Sequence, residues 1–260
     1  MQGFALIEDF GEDTFSRVLS AGADEKALYL LAAEVLQHLH GHKQATDIDV
    51  PAHDMDTLLE GVMRFVDHFV PRVRGAAVTA AERRDFQTAW QVALKDVATR
   101  RETLVLRDYH VDNLMVVAGG TGMLRCGLLD FQDARIGSRA YDLMSLLEDA
   151  RRRVSPQTID AVKSFYFKGV GKESAAQIQA DMAVLAAQRH TRVAGVFMRL
   201  SFEAGRPHYM RYMGRVLQLL DQALQRLENP DVQAVISDMV GDVSELDLEA
   251  CDVAGLATGG

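Results

Sequence analysis

The stretch that decides the fold reads LRDYHVDN at residues 106–113, and DFQ follows at residues 130–132. Apolar segments with a preference for extended structure lie on both sides of the first stretch, at residues 102–106 and 114–118. The pattern therefore predicts a polar loop between two short β-strands.

A glycine-rich turn at residues 119–122 separates the second apolar segment from a third, which ends at Asp130. The two segments around this turn are similar in length, which predicts a β-hairpin. Such a hairpin would bring Asn113 and Asp130 side by side at one end, and Asp108 would face them from the preceding loop.

Two oxygen ligands beside a free carboxylate suit Mg²⁺, which takes one or two protein oxygens and completes its coordination with water and substrate phosphates. The free carboxylate can accept the proton of an attacking hydroxyl. Protein kinases use a catalytic-loop Asp, an Asn five residues later and the Asp before Phe-Gly in these roles. Asp108, Asn113 and Asp130 occupy those positions, and their joint order and spacing favour phosphoryl transfer over the turn roles that each alone would suit.

These residues carry a resemblance to a known family. Together, the runs at residues 105–114, 127–134 and 140–143 resemble the aminoglycoside and choline phosphotransferase superfamily, which has a protein-kinase-like fold. RDYHVDN replaces the superfamily's usual HGDxxxxN and looks like the branch of bacterial N-acetylmuramate/N-acetylglucosamine anomeric kinases. The resemblance covers most of residues 1–230 and is also carried by runs at residues 145–152, 188–197 and 205–209.

The resemblance implies a mainly helical α+β chain that forms the C-terminal lobe of a protein-kinase-like fold with a catalytic β-hairpin. In that lobe Asp108 is the catalytic base, Asn113 and Asp130 bind Mg²⁺ and so help to bind ATP, and Asp142 anchors the backbone of the active site. The implied reaction is ATP-dependent phosphoryl transfer to the anomeric hydroxyl of an N-acetylated amino sugar in cell-wall recycling. A kinase for aminoglycosides, choline or another small alcohol, and a non-catalytic binding module, are the alternatives.

One part of the family pattern has no match in the sequence. The Gly-rich loop and the strand lysine that cover the nucleotide phosphates find no counterpart before Lys26, which lies in a predicted helix. We expect a hinge segment at residues 1–12, a helical catalytic lobe at 13–230 with its loop and hairpin at 103–133, and an acidic, partly flexible tail at 231–260. An upstream start codon, a fragment and a genuine short form all remain open.

Composition indicates a cytoplasmic enzyme lobe. The chain has 260 residues, of which 48% are hydrophobic, enough for a large core. It contains no apolar stretch of about 18 residues that would cross a membrane, and its start does not read as a secretion signal. The two cysteines do not form a disulfide framework, and Cys126 is expected to be a buried thiol.

The charge is concentrated at one end of the sequence. The net charge is -9, but residues 231–260 hold seven acidic residues and no Lys or Arg, which leaves 28 basic against 30 acidic residues elsewhere. A nearly neutral body argues against a nucleic acid or an anionic membrane as partner. A small sugar or alcohol acceptor is the expected partner, and the oligomeric state is open.

Apolar periodicity predicts helices at residues 24–40, 55–70 and 80–98, and Pro156 is expected in the first turn of another helix. A further helix should start at Tyr141-Asp142, with Asp142 as its N-cap.

Several other polar residues are weaker candidates. On a helix, the middle one of His38, His40 and His42 points away from the other two, and no Cys or carboxylate completes a zinc set. His110 could orient the loop or contact the substrate. Asp112 and Asp133 are acidic neighbours that could contact the substrate or its water.

Arginines supply a separate set of candidates. The run at residues 151–153 is expected in the last turn of a helix, where cations interact favourably with the helix dipole. Its alternative role is to bind an acidic substrate, because the lactyl carboxylate of N-acetylmuramate would favour an arginine partner. Arg189, Arg192 and Arg199 are further candidates for that contact, and the sequence does not choose among them.

Overall fold

A computed structural model describes residues 8–246 of the chain, and helices dominate this part. It confirms the mainly helical α+β class, and α2 confirms the helix expected over residues 24–40. The α-helices are α1 (Phe15–Ser20), α2 (Glu25–Gly41), α3 (Met55–Arg64), α4 (Val70–Arg74), α5 (Ala80–Leu94), α6 (Ala140–Leu147), α7 (Pro156–Tyr166), α8 (Lys172–Phe202), α9 (Met213–Arg226) and α10 (Pro230–Val240). The strands are β1 (Thr103–Val105), β2 (Leu114–Val116), β3 (Cys126–Leu128) and β4 (Arg135–Gly137).

Strands β2 and β3 form the predicted antiparallel hairpin, with Leu114 opposite Leu128. The connection between them contains a 3-10 turn at Gly122–Arg125, so the third apolar segment is extended only near its end. Asn113 directly precedes β2, and Asp130 follows β3 after one intervening residue. The hairpin therefore brings the two residues to the same end, as expected.

Strand β1 pairs antiparallel with β4, which the sequence analysis did not predict. Thr103 lies opposite Gly137 and Val105 lies opposite Arg135. A Cβ atom added to Gly137 would lie 2.9 Å from the Cβ atom of His53, so only a residue without a side chain fits there. This second small sheet links the start of the catalytic loop to the segment that leads into α6.

Local capping explains where two of the helices begin. Thr79 and Glu82 form a capping box at the start of α5. Ser155 caps α7, and Pro156 occupies the first turn of that helix as predicted. The helix expected over residues 80–98 is shorter than predicted, because α5 ends at Leu94.

The helix expected over residues 55–70 is divided by a π-helical turn at Phe65–Phe69 and continues through α4. Pro71 has no backbone N–H, so it cannot donate to the carbonyl four residues back. In the wider turn, the N–H of Val70 instead donates to the carbonyl of Phe65. The proline therefore explains why the regular helix is interrupted.

Helix α8 runs through the core, where α3, α6 and α9 pack against it. Small residues on α8 allow this close approach. A Cβ atom added to Gly195 would lie 2.2 Å from the carbonyl oxygen of Arg64. The crossing of α8 with the end of α3 therefore requires glycine.

The acidic segment expected as a tail contains α10, which packs against α5 and α4. Val232, Ile236 and Met239 are buried on its inner face. The end of that segment, residues 247–260, lies outside the described residues, as do residues 1–7 of the expected hinge. Within residues 8–246, the helices are too short or too polar to cross a bilayer.

Candidate active site

The predicted catalytic loop connects β1 to β2 and is closed by its own backbone hydrogen bonds. The N–H of Asp108 donates to the carbonyl of Leu106 at 2.9 Å, and the N–H of Asn113 donates to the carbonyl of His110 at 2.9 Å. The side-chain amide of Asn113 also donates to the carbonyl of Asp108 at 3.0 Å. Asp108, the candidate base, and Asn113, the candidate metal ligand, are thus hydrogen-bonded to each other within one loop.

Two non-glycine residues of the described chain have positive φ angles, and both lie at this site. Arg107 has φ 71° and Asp130 has φ 58°. Such backbone conformations cost about 1–3 kcal/mol each and persist where the surrounding structure requires them. The strain therefore marks the positions just before Asp108 and at the end of the hairpin.

Asp142 anchors the start of the loop through its carboxylate. Its Oδ2 accepts a hydrogen bond from the N–H of Leu106 at 2.6 Å, and its Oδ1 accepts one from the N–H of Arg107 at 2.9 Å. The anchoring expected from the resemblance is confirmed as geometry. The N-cap interpretation was wrong, because α6 begins at Ala140 and Asp142 lies within its first turn.

The environment of Asp142 has opposing effects on its ionisation. Burial raises the pKa of Asp142 to about 7, while hydrogen bonds from the backbone of Leu106 and Arg107 oppose that rise. The nearby charge of Asp108 raises the pKa further, and the charge of Arg189 lowers it. Asp108 and Asp142 are therefore electrostatically coupled through the loop.

Asn113 and Asp130 lie side by side, as predicted. The amide nitrogen of Asn113 is 3.4 Å from Oδ2 of Asp130, and the side chain of Gln132 donates to Oδ1 of Asp130 at 2.7 Å. Because the amide nitrogen of Asn113 contacts Asp130 and the carbonyl of Asp108, its amide oxygen is the atom that can coordinate a cation.

This donor set fits Mg²⁺ better than a transition metal. It offers one amide oxygen and one exposed carboxylate, and Mg²⁺ bound in this way keeps sites for water and phosphate oxygens. Within the described ranges, the structure contains no group of three His, Cys, Asp or Glu residues that could hold a metal ion. The roles of Asp108, Asn113 and Asp130 in catalysis and metal binding stay predictions at this point.

The weaker candidates of the sequence analysis, His110, Asp112 and Asp133, differ in burial. Burial lowers the pKa of His110, and its Nε2 lies 3.4 Å from Nη1 of Arg151. Asp112 is half-buried, and its Oδ2 lies 3.6 Å from Nε of Arg151. Asp133 is exposed in the turn after the hairpin, and its role stays a prediction.

The expected helical position of the arginine run was wrong. Helix α6 ends at Leu147, so residues 151–153 lie in the following loop and not in a last helical turn. Instead, Asp149 fixes this loop, because its carboxylate accepts a hydrogen bond from the N–H of Arg151 at 2.8 Å. The sequence had offered Arg151 as a candidate, but only the structure reveals its contact with the catalytic loop.

Sequence reasoning missed a hydrogen-bond network at the end of α6, centred on Glu148. Glu148 accepts hydrogen bonds from His190 at 2.9 Å and from both terminal nitrogens of Arg226 at 2.7 and 2.9 Å. Burial pushes the pKa of Glu148 upward, but these partners hold it at about 2. Residues so far apart in the chain give no local signal of their contact.

Comparisons with known proteins agree with this geometry. A model of the phosphotransferase enzyme family, APH, matches residues 2–178. An N-acetylmuramate/N-acetylglucosamine kinase of Caulobacter vibrioides is 30% identical over 226 residues, which are 84% of this chain and 62% of that protein. A kinase of the same description from Neisseria meningitidis is 30% identical over 248 residues, which are 92% of this chain and 73% of that protein.

The chain thus spans less than two thirds of the length of the first of these relatives. Among solved structures, an ethanolamine kinase of Plasmodium vivax superposes with a TM-score of 0.51 at 13% identity, covering 88% of this chain and 65% of that one. At this identity the likeness concerns the fold alone, and it supports the protein-kinase-like lobe. The family match includes Asp108, Asn113 and Asp130 and extends over more than half of the sequence, and it shows that the chain belongs to the phosphotransferase enzyme family.

Proposed function

We propose that this protein transfers the γ-phosphoryl group of ATP to the anomeric hydroxyl of an N-acetylated amino sugar, N-acetylmuramate or N-acetylglucosamine. One observation carries the proposal. Asp108, Asn113 and Asp130 converge at the strained end of a hairpin in a chain that is 30% identical to two kinases named for these sugars.

In this proposal Asp108 is the general base. The anomeric oxygen attacks the γ-phosphorus, its bond to hydrogen breaks, and the proton moves to the carboxylate of Asp108. The bond between the γ-phosphorus and the bridging oxygen breaks at the same time, so that ADP leaves. Asp108 is half-buried in the loop, where its carbonyl is fixed by the Asn113 amide.

Asn113 and Asp130 are the proposed Mg²⁺ ligands. When bound, the cation neutralises charge on the phosphates of ATP. The contact between the two side chains keeps their oxygens at one end of the hairpin, and Gln132 holds the second carboxylate oxygen of Asp130.

Asp142 has a positioning role in this proposal. Its carboxylate fixes the two backbone amides that precede Asp108, at Leu106 and Arg107. A base that is held before the substrate arrives needs no reorganisation during the reaction. We also propose a cytoplasmic location, because the proposed reaction consumes ATP, which is available there.

The test is ³¹P NMR on the full-length product of the reading frame that contains this sequence. The protein is mixed with Mg-ATP and, in separate samples, N-acetylmuramate, N-acetylglucosamine, choline and an aminoglycoside. We expect a sugar 1-phosphate signal that Asp108→Asn reduces by about 10²–10⁴-fold in rate, because the general base is lost. Asp160→Asn, an exposed change on α7, is the matched control and should leave the rate unchanged.

Each other outcome has a definite meaning. Phosphorylation of choline or the aminoglycoside in place of the sugars would replace the proposed acceptor. Full turnover by Asp108→Asn would remove Asp108 as the base. No phosphorylated product in any sample would overturn the proposal as a whole.

A further inference from the structure

Arg151 is attached to the catalytic loop at two points. Its Nε lies 3.6 Å from the carboxylate of Asp112, and its Nη1 lies 3.4 Å from Nε2 of His110. Both partners belong to the loop that Asn113 closes back onto Asp108. The guanidinium therefore lies beside the loop that carries the proposed base.

The backbone at Arg151 is held in place before any ligand binds. Its N–H donates to the buried carboxylate of Asp149 at 2.8 Å, and Nε of Arg215 donates to the carbonyl of Asp149 at 2.7 Å. Asp149 itself is only 1% exposed. A guanidinium on such a fixed segment loses little conformational freedom when it binds an anion.

The contacts of Arg151 leave part of its hydrogen-bonding capacity unused. A guanidinium carries five N–H donors, and both described contacts are longer than the 2.7–2.9 Å of a strong charge-assisted bond. Its side chain is 27% exposed, so an incoming carboxylate can reach it. Arg151 is thus a partly accessible cation, positioned by weak contacts that an anionic ligand can exceed in strength.

Aromatic rings line the same place. The guanidinium carbon of Arg151 is 5.7 Å from the ring centre of Phe197. Phe197 in turn contacts Tyr209 at 4.9 Å and Tyr212 at 6.1 Å between ring centres. The two tyrosines are half-buried and pack against Phe197, whose ring is buried near the guanidinium of Arg151. That combination suits a sugar ring that bears a carboxylate.

The other arginines named by the sequence analysis either contact residues outside the catalytic loop, as Arg152 and Arg153 do, or lie on α8, where Arg189 is buried and Arg192 and Arg199 are half-buried. Arg152 lies 3.6 Å from Glu25 on α2, and exposed Arg153 donates to Gln218 on α9 at 2.8 Å. Arg189 is 3% exposed, so a sugar carboxylate cannot reach it. For none of these three does the structure give a hydrogen bond or an ion pair to the loop that contains Asp108.

We propose that Arg151 binds the carboxylate of the acceptor and thereby favours N-acetylmuramate over N-acetylglucosamine. This inference rests on the proposed function. In N-acetylmuramate the lactyl group that carries the carboxylate is joined through an ether oxygen to the ring carbon two positions from the anomeric carbon. A cation beside the base loop can therefore reach the carboxylate while the anomeric hydroxyl faces Asp108. N-acetylglucosamine has the same ring without the acid and gains nothing from Arg151.

The test compares the two sugars on the full-length product of the reading frame, first by ligand-observed NMR titration without nucleotide and then by initial rates with Mg-ATP. We expect wild-type protein to bind N-acetylmuramate about 10–100-fold more tightly than N-acetylglucosamine. Arg151→Gln should abolish that preference while leaving N-acetylglucosamine affinity unchanged, and Arg151→Lys should retain part of it. The methyl ester of N-acetylmuramate, which lacks the negative charge, should bind wild-type protein as weakly as N-acetylglucosamine does.

Arg153→Gln is the matched control, since it removes a neighbouring exposed cation of the same run and should keep the preference. An unchanged preference in Arg151→Gln, or an equal loss in Arg153→Gln, would overturn the assignment to Arg151 while the proposed function stands. Wild-type protein that binds and phosphorylates both sugars without preference would overturn it as well. Failure of wild-type protein to bind or phosphorylate either sugar would instead overturn the proposed function, and this inference with it.

Discussion

The carboxylate of Asp142 is 1% exposed, yet it accepts two backbone hydrogen bonds. Burial raises its pKa from 3.8 to about 7, against the effect of those bonds. Because the folded pKa lies above the ordinary value, the folded state binds the proton more tightly than the unfolded chain does. The contribution of Asp142 to the free energy of unfolding therefore falls as pH rises from 3.8 to about 7.

Asp142→Asn tests this anchor directly. An amide has one acceptor oxygen where two N–H donors converge, so one donor loses its partner, at a cost of about 1–3 kcal/mol in unfolding free energy. The proposed phosphoryl transfer should slow as well, because the backbone before Asp108 is no longer fixed. The stability penalty should shrink between about pH 5 and about pH 8, since the ionised wild-type carboxylate carries a desolvation cost that asparagine lacks.

Urea unfolding at the two pH values measures the effect. Asp85→Asn, an exposed change on α5, is the control and should alter the unfolding free energy by less than about 0.5 kcal/mol. An Asp142→Asn protein with wild-type stability at both pH values would contradict the anchoring role.

At the scale of elements, the sequence predicted the hairpin well because its signals are local. The apolar segments around residues 119–122 are adjacent in the chain, and the spacing of Asn113 and Asp130 follows from their pairing. Strand β4 was missed because it has three residues, Arg135–Gly137, and its partner lies about thirty residues earlier in the chain. The arginine run was assigned to a helix because nothing local signals that α6 stops at Leu147.

Gly195→Ala tests how tightly α8 packs against the end of α3. The added methyl group would lie 2.2 Å from the carbonyl oxygen of Arg64, which belongs to the backbone and cannot rotate away. We expect a loss of about 1–3 kcal/mol in the free energy of unfolding, as overpacking of a core usually costs. Urea denaturation followed by circular dichroism measures it.

Gly214→Ala provides the opposite expectation for the same chemical change. Gly214 lies on α9, and a Cβ atom there would meet nothing within 4 Å. Alanine should stabilise the helix by roughly 0.5–1 kcal/mol because it restricts the unfolded chain. If both substitutions destabilised the protein equally, the close crossing at Gly195 would not be the cause of the stability loss in Gly195→Ala.

At the scale of the whole molecule, the parts of the site differ in how far they can be predicted. Asp108, Asn113 and Asp130 lie within 23 residues of sequence, so motif spacing finds them. Arg151, the residue proposed to bind the acceptor carboxylate, lies in the loop after α6, and the aromatic rings near it come from α8 and from the turn before α9. Only the packing of these distant elements brings Arg151 and Phe197 together, which is why the sequence could list the arginines but could not choose one.

Glu148 joins the end of α6 to α8 through His190 and to α9 through Arg226. Burial pushes the pKa of Glu148 upward, but both partners hold it at about 2, below the ordinary 4.5. The contribution of Glu148 to the free energy of unfolding is therefore complete above pH 4.5 and is lost as pH falls towards 2.

Glu148→Gln removes the charge and should cost about 1–2 kcal/mol in unfolding free energy at neutral pH, less than a fully buried pair because Arg226 is partly exposed. The substitution should also flatten the stability loss of the wild-type protein below pH 4.5, as measured by urea unfolding. Glu203→Gln, which removes an exposed partner of His68, should leave both quantities nearly unchanged, and an equal effect of the two substitutions would show that the three-helix junction does not depend on Glu148.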